Sequence, residues 1–269
     1  MDAAALARWL GGEGRGGPLL VVTGAGISVA SGIPTFRGTD PGAVWKRDVT
    51  ELGTRAYFES DPVGSWSWYL DRFDRVFGAE PNAAHHALVA LERHRASRGE
   101  ATLLVTQNVD TLHARAGSTA LVEVHGRADR VRCARDGCEH GAPDGSLPRV
   151  DFDLDAFRRA PSRATLPHCK ACGTPVRQHV LWFDETYDSH RDYQFERVLE
   201  AASRAARVLF VGTSFSVGVT DAIVRSARIR GAALLSIDPG AEPAPYGIRT
   251  IREPSEVILP SAAEALAGE

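Results

Sequence analysis

Four short segments constrain the fold of this chain more than any other feature. Residues 19–23 (LLVVT), 102–105 (TLLV), 208–211 (VLFV) and 233–237 (ALLSI) are apolar with little alternation, and small or polar residues follow each. A strand with one wet face alternates polar and apolar residues, whereas one covered on both faces does not, so these read as buried parallel strands. Between them, 81–98 repeats apolar residues at helical spacing (Ala84, Leu88, Leu91). Segments 3–10, 193–206 and 221–230 also read as helices, with Asp2 placed to cap the first. Strands alternating with helices predict an α/β fold, a parallel sheet with helices on both faces.

The rhythm breaks between about 130 and 177, a stretch rich in Pro, Gly and charge that holds all four cysteines. It reads as an inserted module. Cys133 and Cys138 have four residues between them, Cys169 and Cys172 have two, and thirty residues separate the pairs. Two close pairs offer four sulfurs to one tetrahedral zinc at ~2.3 Å. His140 and His168 stand beside them as alternative ligands. Four protein ligands leave no position for water, so this zinc is expected to be structural.

Four cysteines in 269 residues are too few for a disulfide scaffold, which fits reduced thiols and a cytoplasmic protein. Lys and Arg total 31 against 34 Asp and Glu, a net charge of −3. That is not the basic excess a polyanion requires, so no nucleic acid is expected as a partner. No segment reads as a signal peptide or approaches membrane-spanning length, so no membrane is expected either. The sequence does not fix an oligomeric state.

Segment 19–28 reads LLVVTGAGIS, a buried strand running into Gly24, Ala25 and Gly26 and on to Ser28. Glycines there let backbone N–H groups approach a pyrophosphate. Val29 stands where a dinucleotide fingerprint has a further glycine, and a plain tight turn has the same pattern. The strings ASGIPTFRG (30–38), TQNVDTLH (106–113), the pair His125-Gly126, VGTS (211–214) and the two cysteine pairs then follow in order along almost the whole chain. In this combination the chain resembles the sirtuins, the NAD-dependent protein deacylases. The resemblance implies one catalytic domain over 1–269, with a Rossmann-like lobe from about 1–129 and 178–269 and the zinc-binding module at about 130–177. It also implies NAD as cosubstrate and an acylated protein or peptide as substrate partner. The products would be nicotinamide, acyl-ADP-ribose and free lysine.

By the same resemblance His125 is the general base, a role that suits an imidazole with an unperturbed pKa of ~6.5. Asn108 would orient ribose and water, and Asp110 would contact the nicotinamide amide. Gln107, Asn108 and Asp110 follow a buried strand at its carboxyl end, where open parallel sheets place ligands. Amide, amide and carboxylate are costly there without polar partners. Further cofactor contacts are expected from Gly24, Ala25, Gly26, Ser28, Thr35, Phe36, Arg37, Gly212, Thr213, Ser214 and Asp238, with Arg37 helping to hold the diphosphate.

The first cysteine spacing is wider than in the family, the loop FSVGVT (215–220) lacks a proline common there, and two single residues depart from the family pattern. Asp238 replaces an Asn but can still accept hydrogen bonds from ribose hydroxyls. Asp184, in HVLWFDE (179–185), replaces a glycine in the strand that pairs with the substrate peptide and to which Leu181 and Phe183 belong, so it is expected to put a charge where the peptide approaches. Tyr69 and Arg72 match the Tyr-x-x-Arg pair of the branch that removes malonyl, succinyl and glutaryl groups, and Gly53 lies where that branch keeps a small residue to leave room. A guanidinium with a phenol can grip an acyl carboxylate, which ranks acidic acyl groups ahead of acetyl. The stripe Trp66, Tyr69, Leu70, Phe73 is also what plain helix packing gives. An NAD glycohydrolase, an ADP-ribosyltransferase or a catalytically silent binding module stays open as an alternative.

Overall fold

The computed structural model describes residues 1–12, 16–35, 49–240 and 245–268. Strands β1 (Leu19–Thr23), β2 (Thr102–Thr106) and β3 (Leu121–Glu123) are followed by β4 (Gly126–Cys133), β5 (Leu147–Pro148) and β6 (Val176–Val180), then by β7 (Arg207–Val211), β8 (Ala233–Ile237) and β9 (Arg249–Ile251). Six of them form one sheet in the order β3-β2-β1-β7-β8-β9, parallel throughout. The first three strands wind outward on one side of β1 and the last three on the other. This is the doubly wound Rossmann arrangement, and it opens a crevice at the carboxyl ends of β1 and β7, where the order reverses.

The lack of alternation in the central strands has a direct cause, since both faces are covered. Leu19, Val21, Leu104, Leu209 and Leu235 pack with Leu6, Leu88, Leu91, Ile258 and Leu259 from the helices Ala3–Gly11, Ala83–Ser97 and Ser255–Ala267. Leu20, Val22, Leu103, Val208 and Phe210 face the other way, against Val198, Ala202, Val219 and Ile223 of the helices Phe195–Arg204 and Gly218–Arg230. Each such side chain contributes about 1.5–3 kcal/mol through burial.

Helix ends follow local chemistry. Asp2 accepts from the Ala5 N–H at 2.8 Å, the cap expected of it. Asn82 and His85 form a capping box, which starts the third long helix at Ala83. The helix expected over 193–206 begins at Phe195, because Arg191–Tyr193 forms a 3-10 turn and Gln194 sits at φ 45.

The smaller lobe is built on the antiparallel sheet β5-β4-β6. Its core joins Val131, Val176, Leu154 and Phe157 to Phe58, Trp66, Tyr69, Leu70 and Phe73, the last four on the helix Pro62–Phe77. Trp66 Nε1 donates to the Val176 carbonyl at 2.8 Å. The lobe is therefore larger than the stretch 130–177 alone. Its sheet starts at Gly126 and ends at Val180, and the helix carrying Tyr69 and Arg72 packs on it. No helix among the described residues is long and apolar enough to cross a membrane.

Candidate active site

Two strand ends interlock at the crevice. Gly24 N–H donates to the Val211 carbonyl at 3.0 Å and Gly26 N–H to the Gly212 carbonyl at 2.9 Å. A Cβ on Gly26 would lie 2.6 Å from Gly212 Cα, and one on Gly212, which sits at φ +58, would lie 2.5 Å from Ile27 N. Both positions must be glycine because two backbones touch. The expected reason, room for a pyrophosphate, is thus not what Gly26 itself shows. Ala25 and Gly26 open the 3-10 helix Ala25–Ser31 and remain half-buried beside the crevice.

The string after β2 folds into a closed polar network. Ser28 Oγ donates to Asp110 Oδ2 at 2.7 Å and receives Asn108 Nδ2 at 3.1 Å. Asn108 Nδ2 also reaches the Gly24 carbonyl at 3.2 Å, which leaves its amide oxygen as the acceptor for a ligand. Asp110 Oδ1 accepts from Leu112 N–H at 3.0 Å. Burial pushes the Asp110 carboxyl up, against these hydrogen bonds. Gln107 Nε2 bridges the Thr23 carbonyl (3.2 Å) and Thr213 Oγ1 (3.1 Å), tying β2, β1 and β7 together.

His125 lies between β3 and β4, separated from β3 by Val124 alone. Its Nδ1 lies 2.7 Å from the Gln107 carbonyl and its Nε2 lies 3.2 Å from Tyr187 Oη. Burial depresses the imidazole to about 4, opposed by the Gln107 carbonyl, so the ring is neutral at pH 7. The glycine after it is obligatory: Gly126 sits at φ +81, and a Cβ there would collide with the His179 carbonyl. Tyr187 escaped the sequence reading, because it is 62 residues from His125 in a loop without periodicity or motif.

Of the other expected contacts, Thr35 is half-buried, Thr213 buried and Ser214 exposed, with Ser214 Oγ 2.6 Å from Ser216 Oγ. Phe36 and Arg37 lie outside the described residues. Asp238 follows β8 directly, its Oδ1 accepting from Gly240 N–H at 3.0 Å, and burial pushes its carboxyl up.

The substrate-side residues correct two expectations. Asp184 does not present its charge to an approaching peptide: its two oxygens accept the Arg55 and Ala56 N–H groups at 2.8 and 3.1 Å, capping the helix Arg55–Ser60. Gly53 does not leave open space either, because a Cβ there would meet the Val49 carbonyl at 2.6 Å and the Phe183 ring at 3.1 Å. Tyr69 is buried with its ring against Trp68 and Phe73. Arg72 lies over the Trp68 ring at 3.9 Å and donates to the Trp68 carbonyl. Both side chains therefore meet at the Trp68 ring. Leu181 N–H donates to the His125 carbonyl at 2.8 Å and Phe183 N–H to Gly53 at 3.0 Å, which fastens this segment to both lobes. Glu185 is locked inside by Arg132 (2.9 Å) and Arg177 (2.5 Å). Burial works against its charge, but the two arginines prevail and hold it below the usual range.

The four cysteine sulfurs lie within 4.8 Å of one another, with Cys133 to Cys172 at 3.4 Å and Cys138 to Cys169 at 3.8 Å. Zinc–sulfur bonds of ~2.3 Å imply tetrahedron edges of about 3.8 Å, whereas a disulfide needs ~2.05 Å. The donor set fits one structural zinc. His168 instead bonds the Leu166 carbonyl and His140 lies against Glu139.

Buried histidines set an acid limit on stability. Burial lowers His85, His125 and His179 to about 4, and lowers His113 and His190 as well. Each is neutral when folded but takes up a proton near pH 6.5 when unfolded, so its contribution is complete above 6.5 and is lost as pH falls toward 4. The first three lose about 2 kcal/mol each by pH 5. Glu123, pushed up to about 7 by burial, has the opposite sign and offsets about one of them. Melting at pH 5 is expected roughly 10 °C below melting at pH 7; histidine NMR titrations centred near 6.5 would remove the cause.

A family model described as the Sir2 family matches residues 24–219. An NAD-dependent protein deacylase of Thermus thermophilus is 42% identical over 226 residues, covering 84% of this chain and 80% of that protein. NAD-dependent protein deacylase 1 of Pseudomonas aeruginosa is 39% identical over 222 residues, 82% of each. Among solved structures, a mutant Sir2 homologue in complex with ADP-ribose superposes with a TM-score of 0.80 at 32% identity, over 100% of this chain and 97% of that one. A Sir2 homologue with NAD gives 0.77 at 32%, over 98% and 93%.

Proposed function

The chain belongs to the Sir2 family, and from that premise we propose that it is an NAD-dependent deacylase of protein lysine. One observation carries the reading. Ser28, Asn108 and Asp110 form one bonded network after β1 and β2, beside the crevice where the strand order reverses, and the neutral His125 ring is tied to the Gln107 carbonyl of the same string. Bound NAD supplies a glycosidic bond whose leaving group is already cationic, so the acyl oxygen of the lysine amide can take its place on the ribose. The protein then mainly positions and stabilises. Asn108 offers its amide oxygen to ribose or water, Asp110 meets the nicotinamide amide, and His125 Nε2 removes a proton from a ribose hydroxyl. Asp238 accepts from the adenine-side ribose. Mass spectrometry of products from NAD and an acyl-lysine peptide is expected to show nicotinamide, acyl-ADP-ribose and free lysine. Nicotinamide release that needs no peptide would replace this reading by a glycohydrolase.

The acyl group we propose is acidic, with Arg72 as the determinant. It lies one turn from Tyr69 on the helix Pro62–Phe77, and its planar guanidinium, over the Trp68 ring at 3.9 Å, offers the fork of donors that a carboxylate takes. Arg72→Met is expected to lower kcat/KM on succinyl-lysine roughly 10- to 100-fold, the worth of a hydrogen bond to charge, and to change acetyl-lysine turnover about twofold or less. A wild type that prefers acetyl-lysine and a substitution without effect would discard this preference.

A further inference from the structure

We infer that Tyr187 is a positioning residue for the base: its hydroxyl holds His125 Nε2 as an acceptor at rest and gives up that lone pair to a ribose hydroxyl during the reaction. The catalytic half of this statement rests on the deacylase reading, while the resting-state half does not.

The hydrogen-bond directions follow from chemistry. A carbonyl can only accept, so the 2.7 Å contact to Gln107 puts a proton on His125 Nδ1. A neutral ring then has its lone pair on Nε2. A backbone N–H can only donate, so the 3.3 Å contact from Val219 takes a lone pair of Tyr187 Oη, and the phenolic proton is left to point at Nε2, 3.2 Å away. Val219 lies in the first turn of the helix Gly218–Arg230, whose positive end makes the hydroxyl a better donor. Burial pushes the phenol up, so it keeps its proton. The chain from Val219 through Tyr187 and His125 to Gln107 thus has one self-consistent polarity.

The phenol is also held in place. Its ring stacks on Phe195 at 4.5 Å and 17° and lies beside His125 at 5.8 Å and 28°. The chain after it is pinned: His190 Nε2 donates to the Gly145 carbonyl, and Asp192 reaches His179 Nε2 on β6 at 3.0 Å. His190 Nδ1 meanwhile accepts the Asp192 N–H, which occupies the lone pair that a metal would need there. Among the described residues no other group is bonded to Nε2, so without Tyr187 the Nδ1 bond to the Gln107 carbonyl alone orients the imidazole.

Tyr187→Phe keeps the ring and its stacking while removing only the hydroxyl. In nitrogen NMR of the unliganded full chain, wild-type His125 is expected in the Nδ1-protonated tautomer, and the variant is expected to move its Nε2 resonance. A proton found on wild-type Nε2, or an unmoved resonance, overturns the pairing. With NAD and an acyl peptide, His125 acts only after nicotinamide has left. Deacylation kcat is therefore expected to fall about tenfold, with nicotinamide exchange into NAD within about twofold of wild type. Equal loss in both, or in neither, overturns the positioning role. Should wild type deacylate nothing, the deacylase reading fails, and the NMR comparison still decides the resting-state pair.

Discussion

Replacing His125 by Ala is expected to cut deacylation by a factor of ~10³ or more, within the range general-base catalysis supplies. The argument is geometric before it is electrostatic. Nδ1 is committed to the Gln107 carbonyl, so the single lone pair of the ring is on Nε2, beside Tyr187 Oη, and among the described residues no basic nitrogen is bonded into the Ser28, Asn108 and Asp110 network. Burial holds the imidazole at about 4, so the base form persists down the acid side. Wild-type kcat/KM is therefore expected to show no His125 acid limb between pH 8 and 5, losing activity only as pH approaches 4. Steady-state assays of both proteins across that range, with melting curves to show that the variant folds, check the claim. A variant within tenfold of wild type, or an acid limb near 6.5, contradicts it.

The parts of the fold that were legible are those where apolar contact alone decides the structure. β1, β2, β7 and β8 are buried on both faces and consist of little but Val, Leu, Ile and Phe. β6 is buried just as completely, yet reads VRQHV. Its Arg177 is neutralised by Glu185 and stacked on Trp182, and its His179 meets Asp192. The buried end of β4 hides in the same way, its Arg132 paired with Glu185. Burial compensated by ion pairs leaves no hydrophobic pattern to read. The helix Ser255–Ala267 was concealed by Pro260, which reads as a breaker. Ile258, Leu259, Ala262 and Leu266 nevertheless bury against the sheet.

Site residues divide along a similar line. Gln107, Asn108 and Asp110 were legible because a strand end places neighbours in sequence together in space. Their actual bonds to Ser28 and Gly24 cross about eighty positions. Gly26, Gly53 and Asp184 had visible identities but misleading reasons: Gly26 and Asp184 answer to partners far away in the chain, Gly212 and the Arg55 amide, and Gly53 is closed in by the nearby Val49 carbonyl as well as by Phe183. Tyr187 had neither signal.

The largest effect on the protein as a whole is expected from the cysteines. Cys133 and Cys169 are buried in the smaller lobe's core together with Val131, Trp66, Phe157 and Leu166, so the sulfurs are packed as part of that core as well as grouped around one point. A structural zinc in such a site is worth apparent free energies of ~10–16 kcal/mol, as large as the ~5–15 kcal/mol net stability of a whole domain. Cys169→Ala is therefore expected to lose the metal and unfold the smaller lobe. Wild type should carry one zinc per chain by elemental analysis and the variant none, with loss of the near-ultraviolet circular dichroism of Trp66 and Trp182. The damage should cross to the larger lobe, because β6 leads straight into Leu181, whose N–H holds the His125 carbonyl. Chelator-stripped wild type should accordingly lose deacylation even though zinc touches no reacting atom. A metal-free variant that melts within about 2 °C of wild type would mean that the apolar core and the Arg132, Glu185 and Arg177 cluster hold the lobe on their own.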